Sequence, residues 1–377
     1  MKIPISEPFV NGNEFDEIKN VLKKNEISSY GKIIGKFEKK ICGLTNIKFA
    51  VACSSGTAAL HTALKVIGVK KNDEVLVPTI TFIATINAIK YIDAIPVFFG
   101  CDKFFNINDK AVVKFIKKNT YIKKGNTYNK KTNRRIAAII PVHVWGNAAN
   151  IQEISKICKK RNIKVLEDAS EALGTCYNNR KSVGSLGDIG VFSFNGNKIV
   201  TTGHGGVIVT NKKSYETKSR YLISQATDDN EKFIHNEVGY NYRFSGINAA
   251  FGLGQLKKFN FYLNQKKKIN KTYKKLLNSS PNFKILSNPR YSKNNNWINI
   301  LQFNPKLKNK VIKTFKKNKI QTKLVWFPNH LQKSFRKNEK FEINNLNKFY
   351  KGSICLPSSV NMKKKDIIKI VEVIKKI

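Results

Sequence analysis

Acidic residues are scarce in this sequence of 377 residues, which has 25 Asp and Glu against 69 Lys and Arg, a formal net charge of +44. Such a charge suits a polyanionic partner, either nucleic acid or an anionic membrane surface. A nucleic-acid surface usually shows clustered basic residues interleaved with aromatics, whereas these lysines are spread along the whole chain. We therefore interpret the charge as a composition bias and expect no nucleic-acid partner, although the positive field would attract a small anionic substrate.

Paired cysteines and long apolar runs are also lacking. The six cysteines form no CxxC pair, so we expect neither a disulfide framework nor a metal site, and a reducing cytoplasm fits best. No apolar run reaches the ~18 residues needed to span a bilayer. The first residues lack the long apolar stretch of a secretory signal. These absences predict a globular cytoplasmic protein with no membrane partner.

Short β-branched runs alternate with helical patterns over the first two-thirds of the chain. The predicted strands include KFAVACSSG, DEVLVP, AIPVFF, RRIAAIIPVHVWG and IKVLEDAS. This alternation predicts an α/β fold with a mostly parallel sheet and helices on both faces. We place a boundary near residue 245. Residues 1–244 would form a large cofactor-binding domain whose N-terminal segment packs on the smaller domain. Residues 245–377 would form a bridging helix and a small C-terminal α/β domain.

The run SSGTAAL at residues 54–60 reads as a strand end that turns into a helix. Free backbone N–H groups and the positive end of the helix dipole make such a turn an anion site. Gly56 would let the backbone approach a ligand closely, and the hydroxyls of Ser55 and Thr57 would add donors. The simpler alternative is that the serine only caps the helix.

Glu167 and Asp168 stand at the end of the predicted strand IKVLED. Ligands of open α/β sheets bind beyond the carboxyl ends of the strands. Because side chains alternate across a strand, the two carboxylates cannot both face one site. An acid that faces the site could keep a ring nitrogen protonated, and the alternative is a cap for the segment that starts at Ala169.

Lys198 lies between the predicted strand GVFSF and the glycine-rich turn TTGHGG. We expect Phe192 and Phe194 to desolvate its amine and favour the neutral, nucleophilic form. A phosphate-binding helix start, an acid after a central strand and a desolvated lysine together describe a site for pyridoxal 5'-phosphate.

The chain resembles the sugar aminotransferases of the DegT/DnrJ/StrS family, which have the aspartate aminotransferase-like fold, fold type I. The matching motifs follow the family's order over nearly the whole chain and are SSGTAAL, PTITFIAT, PVHVWG, EDASEALG, GDIGVFSFNGNK, TTGHGG, GYNYR and NHLQ. The segment before PVHVWGN is similar to the branch that acts on UDP-linked 4-keto-6-deoxy-N-acetyl sugars of the bacillosamine and legionaminic acid type.

The resemblance implies a role for each matching residue. Lys198 would carry the cofactor, and Asp168 would pair with its pyridine nitrogen. Phe82 would lie against the ring, and Glu171 near its edge. Asn241 would reach the phosphate of the neighbouring subunit, so that a homodimer would share its active sites. The remaining implied residues are Ser55, Gly56, Thr57 and Ser193 for the phosphate, and His330, Arg243 and Lys323 for the substrate.

The implied reaction moves an amino group from L-glutamate to the C4 keto group of a nucleotide-linked 4-keto-6-deoxy sugar, as a step of surface glycan biosynthesis. The sequence departs from the family at His204, whose role stays open, and at Lys323, which replaces a common arginine. Two alternatives remain. One is a pyridoxamine-dependent sugar dehydratase, although those relatives carry histidine at the position of Lys198. The other is a nucleic-acid-binding regulator on the same scaffold.

Overall fold

The computed structural model describes residues 3–343 and 346–377 and has an eight-stranded sheet at its centre. The strands stand in the order β1-β10-β9-β7-β6-β2-β3-β15. They are β1 (Phe49–Cys53), β2 (Glu74–Pro78), β3 (Ile95–Phe99), β6 (Ile136–Ile139), β7 (Lys164–Asp168), β9 (Ile189–Ser193), β10 (Gly206–Thr210) and β15 (Lys340–Phe341). All neighbours pair in parallel except at β10, which runs antiparallel to both β9 and β1. The predicted α/β class and mostly parallel sheet are therefore confirmed.

The other strands form smaller sheets. An antiparallel sheet of four strands has the order β11-β13-β16-β14. Two separate pairs are β4 with β5 and β8 with β12. The bounds are β4 (Thr120–Lys123), β5 (Asn126–Asn129), β8 (Cys176–Tyr177), β11 (Phe283–Ile285), β12 (Ser292–Lys293), β13 (Asn299–Phe303), β14 (Lys323–Leu324) and β16 (Ser353–Leu356). The β4–β5 hairpin lies in the basic stretch of residues 117–135.

Twelve α-helices lie in the described residues. Their bounds are α1 (Asn13–Lys23), α2 (Lys32–Thr45), α3 (Gly56–Val66), α4 (Ile83–Lys90), α5 (Asp109–Lys118), α6 (Gln152–Lys160), α7 (Lys213–Ile223), α8 (Gly246–Leu256), α9 (Phe259–Leu277), α10 (Lys308–Lys317), α11 (Leu346–Lys351) and α12 (Lys364–Lys375). Short 3₁₀ turns occur at Val144–Gly146, Pro305–Leu307, Asn329–Leu331 and Lys333–Phe335. None of the described helices is both long and apolar enough to cross a membrane.

Burial explains why the central strands are so apolar. All residues of β2, β6 and β10 are buried. Helices cover both faces of the sheet, so these strands lack the alternating polar residues of a sheet that has one face in solvent. Apart from the apolar core around the large sheet, a separate apolar cluster joins α9, α10 and α12 to the four-stranded sheet. The N-terminal segment reaches this region, where Ile3 and Ile5 exchange backbone hydrogen bonds with residues 319, 321 and 358.

The boundary that we predicted near residue 245 remains a proposal. Ser245 caps α8, and its side chain accepts a hydrogen bond from the N–H of Asn248. Helix α8 packs on α1 and α2. Strand β15 lies beyond the boundary in sequence yet pairs with β3 at the edge of the large sheet.

Candidate active site

A cavity of about 240 Å³ opens beyond the carboxyl ends of the central strands. Asp168 and Ser193 are the last residues of β7 and β9, and Gly56 begins α3 directly after β1. Open α/β sheets bind their ligands at this end. Of the predicted site residues, the cavity is lined by Ser55, Gly56, Thr57, Phe82, Asp168, Glu171, Ser193, Lys198 and Lys323.

The start of α3 has the geometry of an anion site. Ser55 caps the helix, and its hydroxyl accepts a hydrogen bond from the N–H of Ala58 at 3.0 Å. The capping alternative therefore holds for this hydroxyl, but the residue also lines the cavity with Gly56 and Thr57. A Cβ atom at Gly56 would lie 2.9 Å from the Cβ of Ser193, so only glycine lets the start of α3 approach the end of β9 this closely.

The two carboxylates at the end of β7 face opposite sides of the sheet, as the alternation of strand side chains predicts. Asp168 lines the cavity, and its carboxylate accepts hydrogen bonds from Thr85 Oγ1 at 2.7 Å and from the N–H of Ser170 at 3.1 Å. Glu167 points away and accepts a hydrogen bond from His143 Nε2 at 3.0 Å. It also accepts three backbone N–H groups, from residues 184, 186 and 187. Asp168 is therefore the acid available to a ligand.

Lys198 extends into the cavity from the loop that follows β9. Its Nζ lies 3.3 Å from Oε1 of Glu171 and 4.3 Å from the centre of the Trp297 ring. The expectation that Phe192 and Phe194 cover this amine is wrong, since neither residue lines the cavity. Strand alternation turns Ser193 toward the cavity and places Phe194 against Phe37, with the ring centres 5.2 Å apart.

Glu171 is the titratable neighbour of this amine. Burial raises the pKa of its carboxyl group to about 7, although the Lys198 ammonium and the N–H of Trp145, which donates at 2.8 Å, act in the opposite direction. A carboxyl group whose pKa lies near neutrality can give or take a proton without a large change in free energy. Glu171 is thus placed to exchange a proton with the Nζ of Lys198.

All three tryptophans of the chain line the cavity: Trp145, Trp297 and Trp326. The Trp145 and Trp326 rings are 5.3 Å apart, and Phe82 lies 6.4 Å from Trp326. Trp297 and Trp326 stand far along the chain from every cofactor motif, so no sequence pattern predicted their place in the cavity. Their being two of only three tryptophans is a weak signal that could have drawn attention to them.

Three predicted residues lie outside the cavity lining. His330 is only 5% exposed, and its Nδ1 shares a 2.6 Å hydrogen bond with the hydroxyl of Thr79, so the substrate contact that we predicted is not seen. The 3₁₀ turn at Asn329–Leu331 directs the imidazole to this interior position. Arg243 instead stacks on Tyr30, with its guanidinium carbon 4.9 Å from the ring centre. Asn241 is exposed.

Comparison with known proteins identifies the fold and the chemistry. The model of the DegT/DnrJ/EryC1/StrS aminotransferase family matches residues 9–375. The chain belongs to this family. It is 32% identical over 379 residues to EpsN of Bacillus subtilis (strain 168), whose name describes a pyridoxal phosphate-dependent aminotransferase, with 99% of this chain and 95% of EpsN covered.

Two further proteins are similar to this family member. GDP-perosamine synthase of Escherichia coli O157:H7 is 37% identical over 277 residues, which cover 74% of this chain and 72% of the synthase. The structure of Helicobacter pylori PseC, an aminotransferase involved in the biosynthesis of pseudoaminic acid, has a TM-score of 0.90 at 26% identity and covers 100% of this chain and 99% of PseC. The predicted resemblance, fold type I, aminotransferase activity and pyridoxal 5'-phosphate cofactor are confirmed.

The residues of the cavity fit this cofactor. The start of α3 and the Ser193 hydroxyl provide donors for a phosphate, and Asp168 provides an acid for a pyridine nitrogen. Lys198 provides a primary amine for an aldehyde. Because Gly56 has no Cβ atom, the Ser193 side chain can lie directly beside the start of α3, where its hydroxyl and the backbone N–H groups can serve the same phosphate.

Proposed function

We propose that this aminotransferase moves an amino group from L-glutamate to the C4 keto group of a nucleotide-linked 4-keto-6-deoxy sugar. The preferred substrate in this proposal is UDP-4-keto-6-deoxy-N-acetylglucosamine, and the product would serve surface glycan biosynthesis. The observation that carries the proposal is the position of Lys198 Nζ, 3.3 Å from Glu171 in the cavity that Asp168 also lines. The relatives named for perosamine and pseudoaminic acid support an amino sugar as the product.

When bound, the cofactor supplies the electron sink that lets an amino group leave one substrate and join another. Asp168 would hold its ring nitrogen, and Thr85 and Ser170 keep that carboxylate in place. The Lys198 amine would act as general base, taking a proton at Nζ from the α-carbon of the donor. Glu171 would receive or return a proton at Oε1, because its pKa lies near neutrality.

The neighbouring rings of Trp145 and Trp326 form a wall of the cavity that suits a sugar substrate. Sugars present apolar C–H faces and, in a 6-deoxy sugar, a methyl group, which pack well on aromatic rings. Lys323 lines the cavity beside this wall and is exposed, so its ammonium group can attract the diphosphate of a nucleotide sugar. We propose that Lys323 binds the substrate's phosphates. His330 and Arg243 would act in substrate binding only if the bound state brings them to the cavity.

A panel of UDP-, GDP- and dTDP-linked 4-keto-6-deoxy sugars, each incubated with L-glutamate, tests the substrate. Mass spectrometry should show a keto oxygen replaced by an amino group only on the preferred sugar, with 2-oxoglutarate formed in equal amount. The GDP arm matters because one relative is a GDP-perosamine synthase. Amination of a GDP sugar alone would overturn the choice of nucleotide, and amination of none would overturn the substrate class.

We further propose that the active unit is a homodimer in which Asn241 completes the site of the partner. Asn241 is exposed and does not line its own cavity. The same segment carries exposed apolar side chains at Phe233 and Val238, which are 78% and 73% exposed. Exposed apolar side chains this near to one another and to Asn241 along the chain favour an interface with another protein.

Mixing two inactive variants tests the shared site. Lys198→Ala and Asn241→Ala homodimers should each lack activity, whereas a mixed dimer regains one site that has both residues. With random exchange, about a quarter of the wild-type activity should return. If each site used Asn241 of its own chain, a mixed dimer would have no intact site and mixing would restore nothing.

A further inference from the structure

Lys266 is a buried lysine that does not belong to the lining of the cavity. It lies on α9 and is only 2% exposed, whereas the next residue, Lys267, is exposed. Its Nζ donates hydrogen bonds to the carbonyl oxygen of Trp297 at 2.9 Å and to that of Ser358. Both recorded partners are backbone carbonyls, so the amine acts here as a hydrogen-bond donor between two chain segments.

Moving a charged amine from water into the protein interior costs free energy. Burial therefore lowers the pKa of Lys266 to about 7. The neutral amine nevertheless satisfies its hydrogen-bonding groups, because it has two N–H groups and donates one to each of the two carbonyls. An apolar side chain at this place would leave both carbonyls without their donor, and buried unpaired carbonyls are strongly unfavourable. The amine therefore fixes the distance between the two segments that it joins.

Both segments continue to the cavity wall. Trp297 lies over the Lys198 amine at 4.3 Å, and its indole Nε1 donates to the carbonyl of Asn197 at 2.7 Å. On the other side, the N–H of Ser358 donates to the carbonyl of Ile5 at 2.8 Å, and Ile5 lines the cavity. Lys266 is thus one hydrogen bond away from the residue that covers the reactive amine.

We propose that Lys266 is a positioning residue that holds the Trp297 indole over the Lys198 amine. It touches neither the cofactor pocket nor Lys198 and acts through the backbone of Trp297. The kinetic part of this inference rests on the proposed function, whereas the structural part concerns only how accessible Nζ of Lys198 is in the cofactor-free protein.

Trace labelling with acetic anhydride measures that accessibility directly. The cofactor-free protein is labelled at fixed pH, and peptide mass spectrometry gives the rate at Lys198 relative to the exposed Lys364. In Lys266→Met the rate at Lys198 should rise by about threefold or more, within the range of coupling between contacting residues. Lys266→Arg, which keeps the donors, should restore the wild-type rate, and Lys267→Met should leave it unchanged.

Two further variants keep the test decisive. In Trp297→Leu the rate at Lys198 should rise similarly, and Lys266→Met should add nothing to it, because both changes uncover the same amine. If Lys266→Met does not fold, Lys266→Gln should give an intermediate rate, because its amide nitrogen stands one bond closer to the backbone than Nζ and reaches the two carbonyls less well. A folded Lys266→Met or Lys266→Gln protein with a wild-type rate at Lys198 would overturn the proposal.

The loaded enzyme gives a second readout. Lys266→Met should lower kcat by roughly tenfold to 100-fold with little change in KM, because a displaced indole misorients the amine and leaves sugar binding intact. A rise in KM alone would count against positioning. Labelling needs neither cofactor nor sugar, so a labelling response without sugar amination would refute the proposed substrate and leave the role of Lys266 standing.

Discussion

Replacing Thr85 with valine tests how the acid of the site is held. Thr85 is 1% exposed, and its hydroxyl donates to Asp168 at 2.7 Å and lies 3.0 Å from the hydroxyl of Thr81. Valine has nearly the same shape but no hydroxyl. Thr85→Val therefore removes one charge-assisted hydrogen bond and one neutral bond with little change in packing.

The expected cost follows from these two bonds. A hydrogen bond to a charged group contributes about 1.5–3 kcal/mol and a neutral one about 0.5–1.5 kcal/mol. The free energy of unfolding of the cofactor-free protein should fall by roughly 2–4.5 kcal/mol. Because Asp168 then loses one of its two fixed donors, the Kd for pyridoxal 5'-phosphate should rise by about tenfold.

Thr62→Val is a matched control on α3. Thr62 is also fully buried, but within the described residues its hydroxyl has no hydrogen-bond partner. Its removal should leave stability unchanged or raise it by about 1 kcal/mol. Urea denaturation followed by tryptophan fluorescence gives the stabilities, and an absorbance titration gives the cofactor Kd. Equal stability and equal Kd for the two variants would refute the role of Thr85.

Two other changes give separate predictions. Lys198→Ala should keep the melting temperature of the cofactor-free protein within a few degrees and abolish sugar amination measured by mass spectrometry; normal turnover would exclude Lys198 as the catalytic amine. Burial raises the pKa of Asp102 from 3.8 to about 7, so the folded state keeps this proton longer than the unfolded state and stability falls as the pH rises through that range. Asp102→Asn should remove this loss of stability at high pH. The variant should be more stable than the wild type by roughly 1–3 kcal/mol at pH 8 but not at pH 3.5, which denaturation midpoints at the two pH values would measure. The exposed Asp93→Asn should do neither, and equal effects of the two changes would contradict the assignment.

Local sequence patterns predict much of the site. Alternation along IKVLED indicates that only one of its two acids can face a ligand, and the structure assigns that position to Asp168. The turn after β1 could be predicted in the same way, because Ser55 and Gly56 begin a helix directly after an apolar strand. These features depend on neighbours in sequence, where strand and helix geometry is fixed by local rules.

The remaining features depend on which distant segments meet. Trp297 and Trp326 reach the cavity from the part of the chain after α9, and no local pattern indicates that they line it together with Lys198. The same holds for His330, which a short turn directs onto Thr79. Phe192 and Phe194 stand beside Lys198 in sequence, but the strand directs Ser193 and not its neighbours to the cavity.

We propose that Lys198, among all the lysines of this very basic chain, carries the cofactor. Reduction of the pyridoxal phosphate-loaded protein with borohydride fixes the cofactor covalently to whichever amine binds it, and peptide mass spectrometry then locates it. We expect one pyridoxyl group per chain, on the Nζ of Lys198, and no lysine labelled to that level in Lys198→Ala. A pyridoxyl group on another lysine at full occupancy, with Lys198 unmodified, would contradict it.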